Sequence, residues 1–271
     1  MRRALPALLL LPILAFLASG CGSGGALSLD PVASAATKTQ QAGTYAFEFN
    51  ADITAGSQKL SFSGSGVSDT ANGAAQMTID FSGLPPAMTK NGSTAEAIMV
   101  DKRMYMKMPF LAGQLPSGKQ WFELDLGKAL QATGVDPSSS LGQTDPQQRL
   151  QQLLASGDTE TLGTDTVQGE QMTHYRTQID PANTGQIPAA QRAAVKQALA
   201  QLGLSKIPVD AWVDGQGLLR RMSLSFQLAT MSMTMSMDLS QFGTPVSITA
   251  PPADQVFDAT PLMQKYSRTH G

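Results

Sequence analysis

The only cysteine of this 271-residue chain, Cys21, closes a short apolar segment. Met1-Arg2-Arg3 supplies a positive start, and Ala18-Ser19-Gly20 places small residues directly before the thiol. Between them, Leu8 to Leu17 form an apolar run of about ten residues, the size of a secretory signal core and too short to cross a bilayer. Cleavage before Cys21 would make it residue one of the exported chain, with its thiol available for covalent modification. A lone cysteine has no intramolecular disulfide partner, even on the oxidising side of a membrane. The plainer reading is an ordinary secreted protein with a free cysteine near its cleavage site.

The second group with chemical potential is methionine. Of 14 methionines, nine fall in two blocks: Met99, Met104, Met106, Met108, and Met222, Met231, Met233, Met235, Met237. The last four alternate with Ser232, Thr234 and Ser236, so on a strand they share one face, and Met222, Leu224, Phe226 and Leu228 do the same one strand earlier. Unbranched, polarisable thioethers suit a surface that accepts apolar ligands of varied shape. A Met-rich core packed on helices is the plainer reading, and one strand can do both. Thioethers also select Cu(I). Neighbours two apart on a strand lie about 6–7 Å apart, too wide to share one metal, and neither His nor Cys joins them. No metal site is expected.

Catalysis has less support. His174 lies within an alternating segment, where a histidine is ordinarily structural, and Asp52, Asp69 and Asp80 form no paired arrangement in sequence. No nucleophile elbow, zinc helix, P-loop or dinucleotide fingerprint occurs. We expect neither catalytic residues nor a cofactor.

The elements that must position these residues are mostly strands. Tyr45, Phe47, Phe49, Ala51 and Ile53 alternate with polar residues, and Gly56-Ser57 turns the chain into Leu60, Phe62, Gly64 and Gly66, where small residues permit bending. Met77-Ile79-Phe81, a hairpin around Asp101-Lys102, and Gln120 to Leu124 continue the pattern. The second half follows with Thr161 to Val167, Met172 to Asp180, Ile207 to Asp214, Leu218 to Leu228 and Met231 to Leu239. Short links join nearly all of them, which predicts about eleven strands in a mainly antiparallel sheet. Helices are expected over Leu27 to Ala42 behind Asp30-Pro31, after Asp145-Pro146 up to Gly157, over Pro188 to Gly203, and weakly over Leu126 to Thr133 before a loop at Asp136 to Ser140.

Removing residues 1–20 takes away Arg2 and Arg3, leaving 17 basic against 21 acidic side chains and a net charge of −4. That sign, with no basic cluster, argues against nucleic acid and against a polybasic membrane patch. The organisation expected is a signal peptide (1–20), a lipidated cysteine with a Gly/Ser leash (21–26), one domain (27–263) and a tail (264–271).

The Ala18-Ser19-Gly20-Cys21 ending resembles the bacterial lipobox, with Ala18 where Leu is usual. The helix before Thr44-Tyr45-Ala46-Phe47, the run from Gly163 to Tyr175 and the run from Pro208 to Met222 resemble the LppX/LprA/LprF/LprG lipoproteins of mycobacteria and other actinobacteria, relatives of the LolA/LolB carriers. The resemblance implies a strongly curved antiparallel half-barrel with helices on its concave side and an apolar cavity. It also implies a protein diacylated and palmitoylated at Cys21 on the extracytoplasmic face of the cell membrane. Such a protein would bind an acylated lipid or glycolipid, pass it across the envelope, and work as a monomer with an envelope transporter. Alternation selects Phe47, Phe49, Ile79, Phe81, Met106, Leu224, Phe226, Met233 and Met235 as wall candidates. The alternative from a different class is a sensor or accessory lipoprotein with a filled core that presents a surface to a protein partner.

Overall fold

A strand forms where apolar and polar residues alternate, and here that grammar runs almost unbroken along the chain. The computed structural model describes residues 30–56, 58–86, 89, 91–109, 113, 115–128, 159–179, 193, 196–197, 200, 206–228 and 231–261. The chain opens with helix α1 (Pro31–Gln41), then β1 (Thr44–Ala55), β2 (Gln58–Asp69), β3 (Ala74–Asp80), β4 (Thr94–Val100), β5 (Arg103–Lys107) and β6 (Trp121–Asp125). It continues with β7 (Glu160–Val167), β8 (Glu170–Ile179), β9 (Ile207–Val213), β10 (Leu219–Gln227), β11 (Met231–Ser240) and β12 (Val256–Asp258).

All twelve strands belong to one curved, unclosed sheet in the order β12-β6-β5-β4-β3-β2-β1-β11-β10-β9-β8-β7. Two meanders, β1 to β6 and β7 to β11, are joined edge to edge by the β1–β11 pair, whose register runs from Ala46 opposite Ser240 to Ala55 opposite Met231. Every pairing is antiparallel except β12 with β6. The expected count of eleven missed β12. Three residues carry too little alternation to register as a strand, and β12 reaches the sheet edge only after the chain crosses back from β11.

That crossing leaves a second apolar cluster on the opposite face of the sheet. Ile98, Tyr105 and Trp121 are buried there, with Val100, Ile248 and Val256 packed against them. Ile248 belongs to the stretch between β11 and β12, so this stretch straps the outer face of the first meander. Toward the centre of the sheet that face is polar: Asn50 lies opposite Ser63 and Ser236, and Ser236 opposite Ser223.

Helix α1 starts where the sequence marks it. The Asp30 carboxylate accepts from the Val32 and Ala33 backbone N–H groups at 2.9 and 3.0 Å, and Pro31 occupies the first turn, where no N–H is missed. Gly43, at φ +82°, carries the chain out of the helix into β1. Val32, Ala33, Ala35 and Thr39 are buried against β9 and β10. The Leu219 N–H donates to the Thr39 hydroxyl at 2.9 Å inside this contact, so a backbone group that would otherwise be orphaned is satisfied.

Of the other helices expected, Leu126–Lys128 and the separate residues Ala193, Lys196, Gln197 and Ala200 are helical. The segment after Asp145, the loop at Asp136 to Ser140 and the remainder of Pro188 to Gly203 lie outside the described residues. So do residues 1–29 and 262–271, and with them Cys21, the signal, the leash and the tail. Among the described residues no helix is long and apolar enough to cross a membrane.

Candidate functional site

Register decides which side chains meet. In antiparallel pairs, residues directly opposite one another point to the same face. Phe47 lies opposite Gly66 and Leu239; Phe49 opposite Gly64 and Met237; Ala51 opposite Phe62 and Met235; Ile53 opposite Leu60 and Met233. The row continues outward: Gly64 faces Ile79, Ile79 faces Ala95, and Ala97 faces Met106. On the other side Met237, Met235 and Met233 face Met222, Leu224 and Phe226. All eight strand residues among the nine wall candidates therefore share one face. The ninth, Phe81, lies just past the end of β3, and its ring sits 5.9 Å from that of Phe62 on the same side.

Burial divides this face in two. At the α1 end, Phe47, Leu219 and Leu239 are fully enclosed, and Ala211 exposes nothing at all. Phe49, Ile79 and Phe81 are also buried, so these four wall candidates are core residues in this structure. Toward the β1–β2 and β10–β11 turns, Ile53, Leu224, Phe226, Met233 and Met235 are only half-buried, as is Met106 on the first meander. The apolar face is thus continuous, stoppered at one end by α1 and partly solvent-accessible at the other.

Burial pushes the Tyr45 phenol above its ordinary range, outweighing a hydrogen bond from Ser68 that lowers it. Tyr45 sits beside Phe47 and Phe242, and the Arg220 guanidinium covers the Phe242 ring at 5.3 Å.

The methionine ladder behaves as hydrocarbon. Met233 and Met235 face Ile53, Phe226, Ala51 and Leu224, and direct Met–Met pairs occur at Met222–Met237 and Met99–Met104. Among the described residues no group of three or more His, Cys, Asp or Glu side chains has the geometry to hold a metal ion.

Sequence reasoning missed the setting of His174. Its ring stacks on Trp212 with centroids 4.3 Å apart, Nδ1 lies 2.9 Å from Asp165 Oδ2, and Nε2 lies 3.2 Å from Asp210 Oδ1. Asp210 also accepts from Arg176 Nε at 2.9 Å, and Asp165 from Trp212 Nε1 at 2.8 Å. The cluster pins the edge strand β7 to β8 and β9. Its only local signal is that His174 alternates with Arg176, and Asp210 with Trp212, in segments that become neighbours on folding. Replacing His174 by Ala removes the stacked ring and leaves two carboxylates short of a partner, at a cost of about 1–2 kcal/mol. A thermal scan should show a Tm lower by roughly 2–8 °C for a domain of this size. Amide exchange should quicken in β7 and remain unchanged in β1.

With this geometry in place, comparison with known proteins is informative about likeness. No protein-family model matches the chain. An uncharacterised 31.2 kDa protein encoded in the rplA-rplJ intergenic region of Streptomyces griseus is 27% identical over 215 residues, covering 76% of this chain and 70% of that protein. Among solved structures, lipoprotein LppX of Mycobacterium tuberculosis superposes with a TM-score of 0.43 at 18% identity, covering 81% of this chain and 100% of LppX. LprF of Mycobacterium bovis does so with a TM-score of 0.42 at 16% identity, covering 83% and 99%.

Proposed function

We propose that this chain is a lipid-anchored lipoprotein of the extracytoplasmic face that holds an acylated lipid or glycolipid on the inner face of its sheet. It assists that lipid's movement across the envelope and catalyses no reaction. One observation carries the reading. A single face gathers Phe47, Phe49, Ile79, Phe81, Met106, Leu224, Phe226, Met233 and Met235, and it passes from enclosed to half-exposed along its length. Hydrocarbon requires this combination: a continuous apolar floor and a way in. A purely structural core has no reason to leave Leu224, Phe226, Met233 and Met235 half-exposed on two adjacent strands.

The anchor rests on the lipobox-like ending Ala18-Ser19-Gly20-Cys21, in which Cys21 is the sole thiol able to accept the lipid. One acyl chain holds a protein only marginally, whereas two or more give stable attachment. In the Cys21→Ala chain, lipid labelling should vanish and the cleaved protein should move from the membrane to the soluble fraction. Full membrane retention of the cleaved variant would remove the anchor from the account.

A further inference from the structure

The direction of α1 relative to the apolar face determines which end of the domain the anchor holds. The Thr159 hydroxyl bridges Asp30 Oδ2, at 2.5 Å, and the Thr177 hydroxyl, at 3.0 Å. Thr177 lies in the row Thr177–Val209–Leu224–Met235–Ala51. The other end of the helix meets Leu219 through Thr39, and Gln40 accepts from the Thr70 hydroxyl at 2.7 Å. Helix α1 therefore runs along the inner face with its N-terminus aimed at the half-exposed end, where Ile53, Leu60, Phe226, Leu228, Met231 and Met233 lie.

From the Asp30 row to the β10–β11 turn is four residues of strand, Met235 to Met231, or about 13 Å. From the same row to the opposite edge at Thr44 is seven residues, or about 23 Å, before any turn is counted. Nine residue steps separate Cys21 from Asp30, and four of the first five residues are Gly, Ser, Gly and Gly. Nine steps of chain span at most about 30 Å. The half-exposed end is thus within easy reach of the anchor, and the far end is reached only near full extension.

We propose that the strand ends carrying Ile53, Leu60, Phe226, Leu228, Met231 and Met233 form a docking surface for the lipid bilayer, so that the half-exposed end of the apolar face opens onto the membrane that carries the anchor. This inference rests on the lipoprotein reading above. It adds an orientation: cargo enters and leaves through the turn end, and the α1 end faces away from the membrane.

The test is hydrogen exchange on the lipidated full-length mature protein in phosphatidylethanolamine/phosphatidylglycerol vesicles. Its reference is the Cys21→Ala chain mixed with the same vesicles, which has equal access to cargo but no tether. Amides at 54–59 and 227–231 should slow at least tenfold in the tethered protein. Those at 70–73 and 168–170, at the opposite edge, should not change. A Leu228→Glu, Met231→Glu protein should still float with vesicles while its turn amides return to the untethered rate. Slowing at 70–73 and 168–170, equal exchange at both edges in a floating protein, or a charged-turn protein still slowed like the wild type would each overturn the docking surface while leaving the anchor intact. Failure of the wild type to float would instead remove the anchor, and this inference with it.

Discussion

Gly66→Val should cost this protein more stability than any other single addition to its sheet. A Cβ at Gly66 would stand 2.6 Å from Phe47 Cζ, and one at Gly64 2.6 Å from Phe49 Cε1. Real Cβ atoms do not approach carbon that closely. Phe47 and Phe49 lie flat over these two glycines because they are their cross-strand partners, Phe47 on Gly66 and Phe49 on Gly64. Phe47 is 1% exposed and has no free volume in which to swing away. Valine therefore forces the ring, the β2–β3 ladder or both to shift. Overpacking of this kind costs about 1–3 kcal/mol, and the upper end applies because backbone of β3 crowds the same position. Thermal unfolding should fall by roughly 10 °C. Phe47→Leu in the same chain should recover part of the loss, giving a coupling that two independent sites would not show. An unchanged Tm for Gly66→Val would mean that the rings do not lie where the register puts them.

Charging the half-exposed end should do the opposite: spare the fold and empty the site. Met233 and Phe226 are directly opposite one another, and both are half-buried. A lysine at position 233 can run its methylenes along Ile53 and Phe226 and carry its ammonium to water, so the Tm should fall by only a few degrees. With an acyl chain laid over the same surface that escape is blocked. An unpaired charge against hydrocarbon costs several kcal/mol, enough to reduce co-purified lipid at least tenfold. Phe226→Asp has a shorter side chain and should lose as much lipid with a larger fall in Tm. Met233→Leu keeps the surface apolar and should retain the cargo. If Met233→Lys simply unfolds and wild-type protein carries no lipid, the face is an ordinary core and the partner-binding alternative gains ground.

These two predictions draw on different amounts of sequence information. The faces were legible: Met231 to Met237 and Tyr45 to Ile53 alternate so regularly that each strand's inner side could be assigned from a single window. Local turns were legible too. The Asp101-Lys102 turn has both residues at positive φ, 52° and 59°, as a tight hairpin requires, and Gln168-Gly169 likewise at 53° and 83°. The start of α1 followed from Asp30-Pro31, with Asp30 as its N-cap. What was not legible is what lies beside what. Nothing local says that β1 closes on β11, some 180 residues away, or that the chain after β11 straps back to pair β12 with β6. Gly64 and Gly66 read as sites of bending, yet the structure gives them a more specific reason, the rings of Phe47 and Phe49. The His174 cluster was hidden for the same cause. Asp165 and His174 lie in one hairpin and Asp210 and Trp212 in a strand 36 residues or more further on, and only register makes the two pairs neighbours. Four of the nine wall candidates proved to be deeply buried. Alternation identifies a face, but it does not show which part of the face another element will cover.

The most direct measurement of the central claim is native mass spectrometry of the full-length mature protein extracted in detergent from its own host membranes, with lipid analysis of whatever it releases. The account predicts a bound species heavier than the triacylated polypeptide by one acylated lipid. That species should be lost in Met233→Lys and retained in Met233→Leu. A wild-type protein that emerges at the mass of the anchored polypeptide alone, with the inner-face substitutions changing only its stability, would contradict it.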